Sequence, residues 1–468
     1  MAESIGNSGK GMKLHTKILM GLGLGATLGV LANTMLGAEH PLVQNVNTYL
    51  AGPIGQIFLR LLFMIVIPLV FASIALGVAG LGDIRRIGRV GGKAIGYFLA
   101  STAVAATLGL IVVSLVRPGE RIDAATRTRL LETYATDAAS RVEAAQTSSF
   151  GIETLVNIVT RNPFKSAVDL DLLGIIFFAF MFGAALTLIA AHRAKPMIEV
   201  LEALNDVVIK IVEIAMKLAP YGVAGLIFGV TSRLGINILQ LLGWYVAAVL
   251  GALIFHVVVN ISLIIRFLVG MSPLKFFSRI RSALVTAFST SSSSATLPTA
   301  LATAEQNLGI PPSIAGFVLP LGSTMCMNGT ALFEGMTVIT LAQAFGIDLS
   351  MGQMVVVMIM SVLTAVGAAG VPGGSIPLLV GILFMFNIPP EGIALILGVD
   401  RILDMTRTTV NVCGDLSATA FVARSEGVWN ASMVPDVAGL DTSSPSLDDS
   451  PGWPKEPAPA EPTTAVRR

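Results

Sequence analysis

Five polar residues stand near the end of an otherwise apolar stretch: Asp400, Asp404, Arg407, Asn411 and Asp415, spaced by four, three, four and four positions. On a helix that spacing puts all five on one face. Lipid cannot solvate such groups, so at membrane depth they face a cavity or each other. One chemistry open to them is structural, an ion-pair ladder such as Asp404 with Arg407 that glues two helices. The other is binding. Three carboxylates share the stripe with one arginine, while Arg401 lies on a neighbouring face. The surplus negative charge calls for a cation, and an arginine beside it can take a ligand carboxylate through two parallel N–H bonds.

Three further interruptions fall nearby. The run Ser289 to Ser294, followed by Ala295-Thr296-Leu297-Pro298, divides two apolar arms, Phe276–Phe288 and Leu297–Ala302, each too short to span. A serine run is commonly a linker, but between apolar arms a re-entrant hairpin with its tip in a protein-lined cavity fits better. Ala368-Ala369-Gly370-Val371-Pro372-Gly373-Gly374-Ser375 has the same form, and Cys326-Met327-Asn328-Gly329-Thr330 breaks an otherwise good spanning helix. A broken hairpin followed by a helix with a polar middle thus occurs twice, the pattern of an inverted-repeat protein with a midplane binding site. Half-helix N-termini at the tips favour an anion, and unwound carbonyls favour cations.

The elements that must position these groups are membrane helices. The chain of 468 residues is 54% hydrophobic and 13% charged, against roughly 25% charged in a soluble domain. Apolar runs lie near 16–37, 54–79, 93–116, 170–191, 197–230 and 237–269, followed by interrupted segments at 273–303 and 351–387 and by 311–346 and 391–424 with polar middles. The first run is read as a retained helix, not a cleaved signal. Lys and Arg cluster after the second, fourth and sixth runs, as at Arg85, Arg86, Arg89 and Lys93, and are missing between Gly37 and Pro53. This alternation predicts cytoplasmic termini. Beyond about Gly427, Ser, Pro, Asp and Glu dominate, so 427–468 is predicted to be a disordered cytoplasmic tail. A net charge of +1 gives no ground for a nucleic-acid partner, and two cysteines, Cys326 and Cys413, give none for a disulfide framework.

These motifs together resemble the dicarboxylate/amino acid:cation symporter family, which includes the glutamate transporters. The match runs from about residue 14 to 426 and adds Pro220-Tyr221-Gly222-Val223 to the strings above. The resemblance implies an all-α polytopic membrane protein with eight transmembrane helices, two re-entrant helical hairpins and inverted repeats, assembled as a homotrimer in a cell (inner) membrane. It also implies a mobile transport domain sliding on a fixed scaffold. Scaffold helices 1 and 2 fall in 1–92 and helices 4 and 5 in 151–236, with an extracellular loop at 117–150. Helix 3 (93–116) and residues 237–426, comprising helix 6, hairpin 1, helix 7, hairpin 2 and helix 8, form the transport domain.

Residue by residue, Asp404 resembles the group that pairs with the substrate amine and Arg407 the one that pairs with its side-chain carboxylate. Thr330, Thr408 and Asn411 are similar to further polar contacts. Ser292, Ser293 and Val371 resemble the tip contributors, the second tip acting as gate. Asp415, Asn411 and the Gly322 carbonyl resemble one sodium site, and Thr324 with hairpin 2 another. A further family site uses Asn and Asp of an Asn-Met-Asp-Gly-Thr string with hydroxyls matching Ser101 and Thr102; here the string reads Cys326-Met327-Asn328-Gly329-Thr330. Exchanging an amide oxygen for a thiol and a carboxylate for an amide weakens a hard-cation site. Glu334 matches the glutamate implicated in proton coupling among relatives; its plain alternative is a hydrogen-bonded helix residue.

The function implied is secondary uptake of an acidic amino acid, glutamate or aspartate, with sodium ions or protons as coupling ions and no cofactor. A C4-dicarboxylate symporter is the near alternative, which Asp404 disfavours by repulsion, and a substrate-gated anion channel is the alternative of another class. An intramembrane hydrolase is disfavoured because His15, His40, His192 and His256 show no clear relation to the serine tip.

Overall fold

The computed structural model describes residues 14–81, 84–122, 126–128, 130, 159–168, 172–366, 368 and 370–434, and among these every regular element is helical. Among the described residues, five helical stretches are long and apolar enough to cross a membrane: Thr16–Met35, Pro41–Ala79, Arg89–Glu120, Ala191–Leu234 and Asn237–Val269. The chain is a membrane protein.

α1 (Leu14–Met35), α2 (Pro41–Val46), α3 (Gly52–Phe63) and α4 (Val66–Leu81) lead into α5 (Ile84–Val116). After the short α6 (Pro163–Val168) come α7 (Leu172–Leu188), α8 (Ala191–Leu234) and α9 (Asn237–Phe255). Helix association in lipid has little hydrophobic drive and depends on close backbone approach. α1 shows how this is met. A methyl at Gly21 would lie 2.3 Å from the Pro220 carbonyl oxygen, and one at Gly25 would lie 2.5 Å from that of Ala224. Glycines four apart therefore let α1 lie backbone to backbone on α8. α4 instead packs on α7 through aromatics, with Phe71 stacked 5.8 Å from Phe178 and edge-on 5.3 Å from Phe182.

α9 continues through π-helical turns at His256–Ile261 and Ile264–Val269, ending at Gly270, whose φ is 73°. α10 (Pro273–Thr290) and α11 (Ser293–Ala302) form a helical hairpin, as do α14 (Met351–Val366) and α15 (Ile376–Met385). Between them lie α12 (Pro312–Met325) and α13 (Asn328–Ala344), and the 33-residue α16 (Ile393–Ser425) follows. α13 is buried on all sides, packed by α5, α9, α14 and α16. Its polar groups must therefore find partners within the protein.

The break expected around Asn328-Gly329 sits slightly earlier. Cys326 (φ −102°, ψ 69°) and Met327 (φ −105°, ψ 60°) leave the helix, and Asn328 opens α13. The folded chain also runs further than expected. Gly427 (φ 72°) ends α16, Trp429 is buried with its Nε1–H donated to the Leu308 carbonyl at 2.8 Å, and Val434 is buried too. Residues 427–434 thus belong to the packed body, because a large indole finds both a cavity and an acceptor; 435–468 lie outside the described residues. Most of the 117–150 loop lies outside them as well. At the start of α5, Arg89 and Lys93 both pair with Glu426 at 2.7 Å. The hydrogen bond from Arg89, with that from Lys93 beside it, holds the Glu426 carboxyl well below the usual carboxylate range.

Candidate functional site

α16 carries the polar stripe, and its spacing brings the charges into one network. Arg407 Nη1 donates to Asp400 Oδ1 at 2.9 Å, while Nη2 and Nε donate to Asp404 Oδ1 at 2.9 and 3.1 Å. The Phe333 ring of α13 lies under the guanidinium, 4.0 Å from its centroid. Arg401, expected on a neighbouring face, turns inward, and its Nη1 comes 3.5 Å from Asp404 Oδ2. The three-residue offset on the helix lets its long side chain reach Asp404 from that neighbouring face. Two aspartates and two arginines therefore balance, and the surplus negative charge on the stripe moves to Asp415. That residue is buried, and its Oδ1 has no hydrogen-bond partner.

Arg407 and Asp404 line a small polar cavity closed by the two hairpin tips. Of the residues named from sequence, Ser293, Thr330, Val371, Asp404, Arg407, Thr408 and Asn411 line it together. Ser292 does not. Its hydroxyl accepts from Ala295 N at 3.1 Å, capping α11, and donates to the Gly370 carbonyl at 2.6 Å. Ser292 therefore ties tip to tip. The neighbours that do line the cavity are Ser291, held in the left-handed region (φ 52°), and Ser375. Both present buried hydroxyls with no hydrogen-bond partner within the protein, so each can bond a polar ligand in the cavity. Sequence reasoning missed them, since neither the left-handed turn nor the inward aim of Ser375 is written in residue type. The Gly373 N–H donates to Asp404 Oδ2 at 3.3 Å, so the same carboxylate that meets Arg407 also holds the second tip.

Close approach at the tips requires Gly370. A methyl there would stand 2.7 Å from Ser294 Oγ and 3.2 Å from the Ser323 carbonyl oxygen. Gly370→Ala should weaken the Ser292 bond, a loss of ~1 kcal/mol for a buried hydrogen bond. Amide exchange across 370–375 is then expected to run several-fold faster than in wild type, and unchanged exchange would count against tip contact as the closing element.

Around Asn328 the expected group assembles. Ser101 and Thr102 donate to Asn328 Oδ1 at 3.2 and 2.8 Å, and Cys326 Sγ lies 3.7 Å from the same oxygen. His256, unrelated to the serine tip, belongs here: its Nε2 is 3.4 Å from Asn328 Nδ2 and its Nδ1 is 3.2 Å from Asn260. Asn411 is already occupied, with Oδ1 accepting the Gly329 N–H at 2.8 Å and Nδ2 donating to Thr330 at 3.1 Å. This satisfies one of the orphan donors that open α13. Gly322 lies beside Asp415, a methyl on it falling 2.7 Å from Oδ1. Thr324 is exposed and its hydroxyl turns back to the Leu321 carbonyl at 3.0 Å, while the neighbouring Ser323 carbonyl faces Gly370 of the second tip. Glu334 stands apart, fully buried one turn beyond Thr330, with Oε2 2.6 Å from Thr364 Oγ1 of α14.

The arrangement can hold a small polar ligand between a charged helix and two tips, with an unmatched carboxylate nearby for a cation. Comparison with known proteins agrees. Residues 14–425 match the model of the sodium:dicarboxylate symporter family. The proton/sodium-glutamate symport protein of Bacillus subtilis is 36% identical over 419 residues, covering 89% of this chain and 94% of that one. The proton/glutamate-aspartate symporter of Escherichia coli is 35% identical over 414 residues, 88% and 93% of the two chains. A C4-dicarboxylate transport protein of Rhodospirillum rubrum is 33% identical over 404 residues, 86% and 87% of the two. With its charged helix, its paired broken hairpins and these relatives spanning nearly its whole length, the chain belongs to the sodium:dicarboxylate symporter family.

Proposed function

We propose that this symporter takes up an acidic amino acid, glutamate or aspartate, together with cations, by an elevator motion of a transport domain against a scaffold. The observation that carries the reading is the buried Asp404–Arg407 pair on the wall of a cavity sealed by two hairpin tips. A ligand bearing both an ammonium and a side-chain carboxylate exchanges with that pair: the ammonium takes Asp404 and the carboxylate takes Arg407. The ammonium and the side-chain carboxylate are then matched, and the α-carboxylate is left for the tip hydroxyls and backbone N–H groups. Ser291 and Ser375 supply additional hydroxyls, and the tips meet the ligand with backbone groups. The fold follows the family's eight spans and two re-entrant hairpins, in a homotrimer with cytoplasmic termini in the inner membrane.

C4-dicarboxylates are the second candidate substrate, supported by one contact. Arg401 lies beside Asp404, so a diacid on Arg407 leaves Asp404 still facing a cation, which reduces the repulsion otherwise expected.

An anion entering a negative interior needs co-moving cations, since each charge costs roughly 2.3 kcal/mol per 100 mV. Asp415, with its unpartnered oxygen and Gly322 alongside, suits one sodium ion. The Asn328 group offers only neutral ligands, and its oxygen already accepts from Ser101 and Thr102, a poor exchange for the hydration of a hard cation. Fewer sodium ions than the family's usual number are therefore coupled, with a proton on Glu334 as the substitute. The deciding measurement is uptake of labelled aspartate, glutamate and succinate into proteoliposomes under separately imposed sodium and proton gradients. An inward proton gradient is expected to drive amino acid uptake, Glu334→Gln to remove that response, and sodium titrations to be shallow until Cys326→Asn with Asn328→Asp steepens them. Steep sodium dependence with no response to protons would overturn the coupling scheme, and uptake of succinate alone would overturn the substrate.

A further inference from the structure

The surroundings of Glu334 restrict where a proton can sit. Thr364 Oγ1 is 2.6 Å from Glu334 Oε2 and 2.7 Å from the Met360 carbonyl oxygen. A threonine hydroxyl has one proton, so it cannot donate to both. Glu334 is fully buried, and its Oε1 has no hydrogen-bond partner.

Among the described residues, no charged or titratable group around α13 forms an ion pair or hydrogen bond with Glu334: Arg407 acts on it only at a distance, and His256, in the turn that continues α9, is taken by Asn328 and Asn260. On α16, Arg407 is committed to Asp400 and Asp404, and Arg401 reaches Asp404; Asp415 lies three turns further along. On α9, Tyr245 shares a hydrogen bond with Thr337 at 2.7 Å. The arms α14 and α15 contain no charged residue, and α5 carries Arg85, Arg86, Arg89 and Lys93 in its first turns, with Tyr97 bonded to Ser417. In the turn after α5, Glu120 pairs with Arg117. A bare carboxylate at Glu334 would be a buried charge with no ion-pair partner. One arrangement uses every proton: neutral Glu334 donates from Oε2 to Thr364 Oγ1, and Thr364 donates in turn to Met360 O.

We propose that Thr364 is a positioning residue for the coupling proton, its hydroxyl oxygen accepting from protonated Glu334 and so tying the loaded carrier to the first arm of the second hairpin. The proposal rests on Glu334 as the proton carrier. Loss of the proton inverts the bond, because Thr364 must then swing its hydroxyl from Met360 to the carboxylate. It also leaves a charge beside an apolar cavity that Thr364 lines with Val70, Ile176, Leu378 and Ile382. Hairpin packing against α4 and α7 is therefore sensitive to the state of a residue on α13, a contact through which proton loading reaches the gate.

The direction of a pH shift tests this. Thr364→Val keeps the shape and removes the acceptor, so the neutral form of Glu334 loses its support. The midpoint of the pH profile for aspartate or glutamate uptake in proteoliposomes is expected to move to lower pH by about half to one unit. The maximal rate on the acid side should be retained, Thr364→Ser should restore the wild-type midpoint, and the two variants should not differ in a Glu334→Gln background. Thr364→Ala serves as the acceptor-free variant if valine disturbs folding. A shift to higher pH would mean that Thr364 serves the carboxylate, and an unmoved midpoint would mean that the contact only packs; either overturns the proposal while leaving Glu334 as carrier. A flat wild-type profile would overturn both.

Discussion

Arg407→Cys is expected to abolish uptake of acidic substrates and to admit neutral amino acids. The guanidinium is the one group on the cavity wall that offers a fork of donors, and it spends them on Asp400 and Asp404. A ligand carboxylate competes for that fork, whereas a small neutral side chain in its place makes no demand for a second anion. Loss of a buried charge partner costs ~3–5 kcal/mol, so aspartate affinity should fall by hundreds-fold or more. The same loss leaves Asp400 buried without its cation, so thermal stability of the purified variant must be followed in parallel, with serine or alanine uptake as evidence that the site survives. Unchanged aspartate affinity would sink the assignment. Arg407→Lys should not rescue fully, because an ammonium is a point charge and cannot hold two carboxylates in a fork.

Asp404→Asn is expected to weaken amino acid binding by a few kcal/mol, the cost of breaking a buried ion pair from one side, and to leave the site's shape nearly intact. The structure adds a second consequence. Asp404 Oδ2 accepts the Gly373 N–H, so the variant should also hold the second tip less firmly, visible as faster amide exchange at 370–375. Equilibrium binding of aspartate and succinate separates the effects: a ligand amine lost from Asp404 weakens aspartate alone, while a looser tip weakens both. Binding of amino acids at wild-type strength would mean that the transported ligand carries no amine.

Most of the site was legible because charge in an apolar segment has few explanations. The α16 stripe, the serine tip, the Gly370–Ser375 tip and the Cys326 break could each be named from residue type, since lipid penalises polar groups and irregular backbone wherever protein does not satisfy them. What spacing could not supply was the partner of each group. Arg401 read as off-face, yet a long side chain reaches across a helix quadrant. Asn411 read as a ligand to both substrate and sodium; it does line the cavity, and its amide also holds the start of α13. Thr324 read as part of a cation site, and its exposed hydroxyl bonds its own helix at the Leu321 carbonyl. His256 read as unrelated to the serine tip, as it is; its partner, Asn328, lies 72 positions away.

The sequence by itself determined that this is a helical membrane protein of one family, where its helices break, and which side chains can carry charge. Those properties follow from local hydrophobicity, from the backbone's need for internal hydrogen bonds, and from residue chemistry. The tertiary structure alone decided which charges cancel. Arg401 and Arg407 neutralise Asp400 and Asp404, leaving Asp415 and Glu334 as the buried carboxylates without an ion-pair partner among the described residues. That outcome depends on distances of a few ångströms between side chains on different elements, where a Coulomb or hydrogen-bond energy in a low-dielectric interior rises or vanishes with a single rotamer. Neighbours in space, not in sequence, set it.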